Sequence, residues 1–229
     1  MEIQDYIEKI KQEGYVILEN IFSESECQKV IDCAHNILGD NKDLTPLLNI
    51  HKSSEIIHEF MSQRKLTNFI DAYFDSRAIG LQTEFFFMPP KTVGFNPHQD
   101  NSYVKADAES FVSAWIALTD VNSNNGGLIL WPRSHENGIL KSLSTGKSKA
   151  KDQDPNATLR ETIIPEKYKP VSFDIKKGSV LMLHSEVVHA SHNNNSPMNR
   201  HVLLCTYING KTNFRKGKYA NREAFNLKD

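Results

Sequence analysis

The sequence predicts a mainly β fold with flanking α-helices, in which short strands form an antiparallel sandwich or jelly roll. Over roughly the first 78 residues, apolar positions recur with the period of a helix. From about residue 79 the chain consists of short segments rich in β-branched and aromatic residues, separated by Gly, Pro and Asn. No helical pattern alternates with these segments, which argues against a parallel α/β sheet.

Three helices are predicted in the first third of the chain. The first has apolar residues at i, i+3, i+4 and i+7 from Ile3, and Gly14 follows it as a favourable C-cap. A short β-prone run at 15–18 separates it from the second helix, which begins with the capping-box pair Ser23 and Glu26. The third places one apolar face on Leu66, Phe69, Ile70, Tyr73 and Phe74. Three histidines of this region are interpreted as surface or capping groups: His35, His51 and His58.

Six strands are predicted after the helices, at 79–88, 111–119, 127–131, 171–175, 179–184 and 201–208. The polar segment 141–170 is longer than ordinary connections between strands. We interpret it as a lid that covers a functional site, with local disorder as the alternative. We interpret 1–229 as one domain, with a helical N-terminal third at about 1–78, a jelly-roll core at about 79–209 and a polar tail at 210–229. A solvated tail is expected, because its few basic residues poorly support a nucleic-acid-binding arm.

The composition is that of an ordinary globular protein. A formal net charge of -1 gives no reason to expect nucleic acid or an anionic membrane as a partner. No apolar run approaches the ~20 residues that span a bilayer. The acidic, amphipathic N-terminus is unlike a secretory signal, and the three cysteines form no CxxC pair. Buried free thiols and a cytoplasmic location are therefore expected.

A possible metal site begins with His98 and Asp100, which would point the same way from an extended segment. Four later histidines are candidates for the third ligand: His184, His189, His192 and His201. We favour His189, because it follows a predicted strand at a turn and Arg200 comes eleven residues later. His184 remains the alternative, and His201 is expected to face away from the site.

Two imidazoles and one carboxylate form the ligand set that holds Fe(II) on one face and leaves the other positions open. Arg200 adds a planar, charged guanidinium group, which can bind a carboxylate through two hydrogen bonds. Together these residues indicate an oxygen-activating iron enzyme with a keto-acid co-substrate.

Several motifs, in this order, resemble the phytanoyl-CoA dioxygenase family of Fe(II)/2-oxoglutarate-dependent oxygenases. They are Gly14-Tyr15-Val16-Ile17-Leu18, Pro89-Pro90 followed by His98-Gln99-Asp100, the strand around Trp115, Asn125-Gly126-Gly127-Leu128 through Pro132-Arg133-Ser134-His135, and Gly178 through His189-Ala190-Ser191 to Arg200. Ala190 departs from the glycine that is usual there. The match runs from about residue 10 to 208.

The resemblance implies a double-stranded β-helix (jelly-roll, cupin-like) core and a metal site for Fe(II) on His98, Asp100 and His189. It implies that Arg200 binds 2-oxoglutarate, with O2 as the second co-substrate. Further cofactor contacts are implied for Ser191, Trp115, Gln99 and Gln82.

The implied reaction is hydroxylation of a small-molecule substrate with release of succinate and carbon dioxide. Catalytic roles then fall to His98, Asp100, His189 and Arg200. The carboxylate of Asp100 favours hydroxylation, desaturation or ring formation over halogenation, since halogenating relatives carry a small residue there. Two alternatives stay open: a non-oxygenase cupin-like metalloenzyme, and a catalytically inactive jelly-roll binding module. Trp115 also has an alternative role in core packing.

Overall fold

The computed structural model describes residues 2–41, 44–144 and 160–228. The α-helices are Ile3–Glu13 (α1), Glu24–Leu38 (α2), Glu55–Ser62 (α3), Arg64–Phe74 (α4) and Asn101–Val104 (α5). The strands are Tyr15–Leu18 (β1), Leu47–Leu48 (β2), Ala78–Phe86 (β3), Phe111–Ala117 (β4), Leu128–Trp131 (β5), Ser142–Ser144 (β6), Arg160–Thr162 (β7), Val171–Ser172 (β8), Val180–His184 (β9), Val188–Ser191 (β10) and Val202–Asn209 (β11). Short 3₁₀ turns occupy Ile50–Lys52 and Ser134–Asn137.

The three predicted helices are confirmed as α1, α2 and α4. Gly14 adopts the left-handed conformation at φ 84° and its N–H donates to the carbonyl of Ile10, which ends α1. The capping box of α2 is formed by two reciprocal bonds: the N–H of Ser23 donates to Glu26 Oε2 at 2.8 Å, and the N–H of Glu26 donates to Ser23 Oγ at 3.3 Å.

Nine of the eleven strands in the described residues form two antiparallel sheets that face each other. The larger has the order β1-β9-β4-β11-β3-β2, and the smaller has the order β10-β5-β8. An isolated bridge between His98 and His189 continues the smaller sheet past β10. The six predicted strands each overlap an observed one, and the predicted jelly-roll class is confirmed.

Alternation along the large sheet separates two hydrophobic clusters. On β4 and β9, Ala114, Ile116 and Met182 pack against the N-terminal helices. Trp115 and Leu181 face the opposite way and pack with residues of the smaller sheet. Because side chains alternate along each strand, one face of the large sheet packs against the helices and the other faces the interior of the sandwich.

All three cysteines are free and buried, as expected. Among the described helices, none has the length and apolar content needed to cross a bilayer.

The C-terminal segment corrects the expectation of a solvated tail. Gly80 and Phe225 exchange backbone N–H···O bonds of 3.0 and 2.9 Å, which attach the segment to β3. The Phe225 ring stacks on His51 at a centroid distance of 4.2 Å. His51 is 7% exposed, so its interpretation as a surface group is also wrong. The reason is that a contact between residues 174 positions apart leaves no local pattern in the sequence.

Half of the predicted lid, residues 145–159, lies outside the described residues. The described ends of that segment, β6 and β7, pair as a two-stranded ribbon. The N–H of Thr162 donates to the carbonyl of Pro97 at 2.8 Å, which places the ribbon directly beside the predicted metal motif.

Candidate active site

Residues of both sheets line a cavity of about 640 Å³. His98, Asp100 and His189 lie on its wall together with Arg200. The predicted metal-binding and keto-acid-binding groups are therefore brought to one cavity, although as many as 102 positions separate them in sequence (98 to 200).

The ligand atoms of His98, Asp100 and His189 all lie within 4.8 Å of one another. Oδ1 of Asp100 is 3.7 Å from Nε2 of His98 and 3.5 Å from Nε2 of His189. The side chains of the three residues are 20%, 17% and 8% exposed, respectively, so the cluster is shielded but still faces the cavity. Three donors this close together can share one metal ion.

Two backbone carbonyls select the histidine tautomers. Nδ1 of His98 donates to the carbonyl of Asn96 at 2.7 Å, and Nδ1 of His189 donates to the carbonyl of Val187 at 3.2 Å. Because a carbonyl can only accept, both Nδ1 atoms carry the proton and both Nε2 lone pairs remain available. Burial, with a smaller contribution from His189, lowers the pKa of His98 to about 4, which keeps this imidazole neutral as a metal ligand requires.

The backbone path differs from the extended segment that the sequence suggested. His98 is held by reciprocal backbone bonds of 2.9 Å with His189, on the edge of the smaller sheet. Asp100 instead has helical dihedrals and precedes α5. Its carboxylate is oriented by Ser113, whose hydroxyl donates to Oδ2 at 2.8 Å and leaves Oδ1 toward the histidines.

Arg200 is 3% exposed. Its Nη2 donates to the carbonyl of Gly126 at 3.0 Å and contacts the sulfur of Met88, while its guanidinium carbon lies 5.2 Å from the Trp115 ring centroid. Burial lowers the pKa of Arg200 to about 9, so the group remains a cation at neutral pH. Its Nε is buried and has no hydrogen-bond partner among the described residues. An incompletely satisfied buried cation fits a site for an anionic ligand.

Of the four other residues predicted to contact the cofactor, three line the cavity and one does not. Ser191, Trp115 and Gln82 line the cavity. The Ser191 hydroxyl accepts from the N–H of Phe95 at 2.8 Å, and Gln82 Nε2 donates to Glu84 at 2.7 Å.

Gln99 does not line the cavity. Its Nε2 donates to the carbonyls of Gly138 and Glu186, and its Oε1 accepts from the N–H of Leu140. Its amide therefore joins surrounding loops, an arrangement that does not favour the cofactor contact. Gln99 lies between two residues that face the cavity, and its side chain takes the opposite direction.

The alternative third ligand is not part of the cluster. Nδ1 of His184 accepts from the N–H of Glu186 at 3.1 Å, and its ring lies beside His135. His201 is buried against Phe85 and faces away from the cavity, as expected.

The sequence interpretation missed several residues that shape this site. Ser113 had a usable signal, since it lies two positions before Trp115 on the same predicted strand. Met88 and Gly126 hold Arg200, and Gly126 has φ 95°, where a Cβ would lie 2.4 Å from Cε of Met88. Arg222, from the C-terminal segment, also lines the cavity, and no local pattern indicates this.

The donor set fits Fe(II). It contains two neutral imidazoles and one carboxylate on one side of an accessible cavity, the combination typical of non-haem iron sites with open positions. The unpartnered Nε of Arg200 in the same cavity fits the remote carboxylate of a keto acid.

Comparison with known proteins points to the same chemistry. Residues 10–202 match the family model described as phytanoyl-CoA dioxygenase (PhyH). A phytanoyl-CoA dioxygenase of Arabidopsis thaliana is 29% identical over 194 residues, which cover 80% of this chain and 66% of that protein. Phytanoyl-CoA dioxygenase 1 of Oryza sativa subsp. japonica is 30% identical, over 68% of this chain and 56% of that protein. The chain thus spans just under two thirds of the length of the first relative and just over half of the second.

Solved structures support the fold. The epimerase SnoN in complex with Fe3+, alpha ketoglutarate and nogalamycin RO superposes with a TM-score of 0.74 at 15% identity, covering 93% of this chain and 86% of SnoN. EctD from S. alaskensis, solved with 2-oxoglutarate and 5-hydroxyectoine, gives a TM-score of 0.68 at 17% identity, over 91% of this chain and 76% of EctD. Since the family model matches most of the sequence, the chain belongs to the phytanoyl-CoA dioxygenase family.

Proposed function

We propose that this protein is an Fe(II)- and 2-oxoglutarate-dependent oxygenase that hydroxylates an unactivated C–H bond of a small-molecule metabolite. One observation carries the proposal: the His98–Asp100–His189 cluster and the buried guanidinium of Arg200 line the same cavity. Membership of a dioxygenase family supports it.

Each residue of the cluster has a defined task. His98 and His189 would hold Fe(II) through Nε2, because their Nδ1 protons are engaged by backbone carbonyls. Asp100 would supply the anionic ligand and offset one of the two positive charges. Ser113 keeps the Asp100 carboxylate in orientation by donating to its other oxygen.

Arg200 would bind the remote carboxylate of 2-oxoglutarate in a charge-assisted pair. Trp115 supports the guanidinium from one side, and Gly126 and Met88 hold it in place. Ser191 lines the cavity as a second polar contact. Because Arg200 is buried, the pair would be shielded from water, which strengthens the interaction.

With iron and 2-oxoglutarate bound, this centre supplies the oxidising power of O2, and 2-oxoglutarate leaves as succinate and carbon dioxide. Because Asp100 occupies the carboxylate position, hydroxylation is proposed in preference to halogenation. The substrate is a small molecule, in keeping with a cavity of about 640 Å³. A reducing cytoplasmic setting is proposed, supported by three buried free thiols.

The two alternative functions receive less support. A cupin-like hydrolase or isomerase with an additional histidine ligand would need His184, whose Nδ1 already accepts from Glu186. A binding module without activity gives no reason to retain three metal donors and a buried arginine in one cavity.

The test is anaerobic loading with Fe(II) and 2-oxoglutarate, followed by a metabolite library and admission of air. Succinate release that requires both Fe(II) and 2-oxoglutarate, together with a product one oxygen atom heavier than its substrate, is expected. Activity with Zn(II) alone and without 2-oxoglutarate would contradict the proposal and favour the hydrolytic alternative.

A further inference from the structure

The C-terminal segment 210–228 forms part of the cavity wall. Six of its residues line the cavity: Arg215, Gly217, Lys218, Tyr219, Ala220 and Arg222. This segment lies beyond residues 10–202, the part of the chain that matches the family model. The wall that it provides therefore lies outside the region matched by the family model.

The segment is attached at several points, which fixes the position of its side chains. Asn49 Nδ2 donates to the carbonyl of Ala220 at 2.8 Å, and the N–H of Lys228 donates to Ser62 Oγ at 3.0 Å. The Phe225 ring lies over Gly80, where a Cβ would come within 2.4 Å of it. Close packing of an aromatic ring against a glycine orders the segment far better than a single surface contact would.

The charges that line the cavity are unbalanced. Once Asp100 is assigned to the metal and Arg200 to the keto acid, four cations and one carboxylate remain among the charged lining residues that the structure describes. These are Arg160, Arg215, Lys218, Arg222 and Glu84. Such a cavity favours an anionic ligand and disfavours a cationic one.

Arg222 is the cation best placed to contact such a ligand. Its side chain is partly buried, and Gly217 leaves room for its guanidinium, since a Cβ there would lie 3.1 Å from Nη1. Nη1 donates only to the carbonyl of Arg215, at 3.3 Å, and Nε is buried without a partner among the described residues. Arg222 lines the same cavity as the metal cluster, and its burial there lowers its pKa.

We propose that Arg222 binds an oxyanion of the substrate, a carboxylate or a phosphate, and that the C-terminal segment thereby selects amphipathic anions. The apolar body of the substrate would lie against the aromatic part of the cavity, which includes Phe86, Phe95 and Phe111. A guanidinium suits this role because its fork binds carboxylate or phosphate through two parallel bonds. This inference rests on the proposed function, since it assigns Arg200 to 2-oxoglutarate.

The test measures binding to protein loaded with Fe(II) and saturating 2-oxoglutarate in the absence of oxygen, so that the Arg200 site is already filled. The probes are medium-chain fatty acids, their neutral primary amides, the matching alkyl phosphates and the matching acyl-CoA thioesters. Wild-type protein should bind at least one anionic series about tenfold or more tightly than the amides. The series that binds best identifies the oxyanion as a carboxylate, a phosphate monoester or the phosphate groups of CoA.

Three variants complete the experiment. Arg222→Gln should lose the preference for the anion, Arg222→Lys should keep part of it, and Lys216→Gln, an exposed cation of the same segment outside the cavity, should keep all of it. The affinity for 2-oxoglutarate should be unchanged in all three. Anion binding by folded Arg222→Gln equal to that of the wild type would overturn the inference, as would a wild type that prefers no anion. Failure of the wild type to bind 2-oxoglutarate at all would instead overturn the proposed function.

Discussion

The more buried and the more exposed parts of the cavity wall, which we call its inner and outer ends, are built differently. At the inner end, His98, Asp100, His189 and Arg200 are held by backbone carbonyls, a serine hydroxyl and the Trp115 ring, on or next to strands of the two sheets. At the outer end, Arg160 and Arg222 project from a two-stranded ribbon and from a C-terminal segment without regular secondary structure.

This difference separates the part that performs a reaction from the part that selects a substrate. Metal ligands tolerate little displacement, so they belong on a rigid scaffold whose own hydrogen bonds are complete. Groups that contact a variable substrate can lie on loops, which change without loss of the sheets. Variants at the inner end should therefore remove activity toward every substrate, and variants at the outer end should change which substrate is used.

The largest effect is expected from Asp100→Ala. It removes the only carboxylate of the metal cluster, so iron binding should be lost and succinate release should fall by about a hundredfold or more. Iron content and succinate formation are the measurements. Asp174→Ala, which removes an exposed carboxylate, is the matched control and should behave like the wild type. Full activity of Asp100→Ala would contradict the assignment of Asp100 as a metal ligand at the inner end.

The next largest effect is expected from Arg200→Ala. Loss of a buried charged pair costs about 2–5 kcal/mol, so the KM for 2-oxoglutarate should rise by at least about thirtyfold while iron binding persists. Succinate formation at increasing 2-oxoglutarate measures this change. Arg64→Ala, which breaks an exposed ion pair with Asp71, should leave the KM unchanged. An unaltered KM in Arg200→Ala would place the co-substrate elsewhere.

A moderate effect confined to the outer end is expected from Phe225→Ala. The variant loses the ring contacts with His51, His58 and Gly80, which should lower the free energy of unfolding by about 1–3 kcal/mol. Hydrogen exchange at residues 215–228 should accelerate, while 2-oxoglutarate affinity stays at the wild-type value. Tyr219→Ala, at an exposed ring of the same segment, should have little effect on stability. Unchanged exchange in Phe225→Ala would mean that the ring does not fix the segment.

The smallest effect is a pH dependence from His51. Burial, followed by the charges of Lys52 and His58, lowers its pKa to about 4. The unfolded chain therefore takes up a proton near pH 6.5 while the folded protein does not, and stability falls as the pH drops from about 6.5 to 4. His51→Gln should flatten this part of the profile in chemical denaturation, and the difference between the two proteins should be constant above pH 7. Parallel profiles below pH 6 would contradict this source of acid sensitivity.

Much of the inner end was predictable because its signals are local. His98 and Asp100 are two residues apart, and Arg200 follows His189 by eleven residues, so both patterns can be recognised along a short stretch of sequence. The strand that carries His189 was not predicted, because only one of the four residues of β10, Val188, is β-branched.

The outer end was not predictable for a physical reason. Its contacts join residues that are far apart in sequence, such as Gly80 with Phe225 and Asn49 with Ala220. A polar, basic composition occurs both in solvated segments and in segments that pack against a cavity. Composition alone could not distinguish the two, and the solvated tail was the expected state. His51 was misinterpreted for the same reason, since it is buried by that segment.

The central claim is that one ion and one keto acid share the inner end of the cavity. Calorimetric titration of 2-oxoglutarate into the protein under anaerobic conditions, with and without Fe(II), tests it most directly. One molecule should bind per chain, tightly only when iron is present, and binding should weaken strongly in Asp100→Ala and in Arg200→Ala. Binding of 2-oxoglutarate that is independent of iron and unaffected by either substitution would contradict the account.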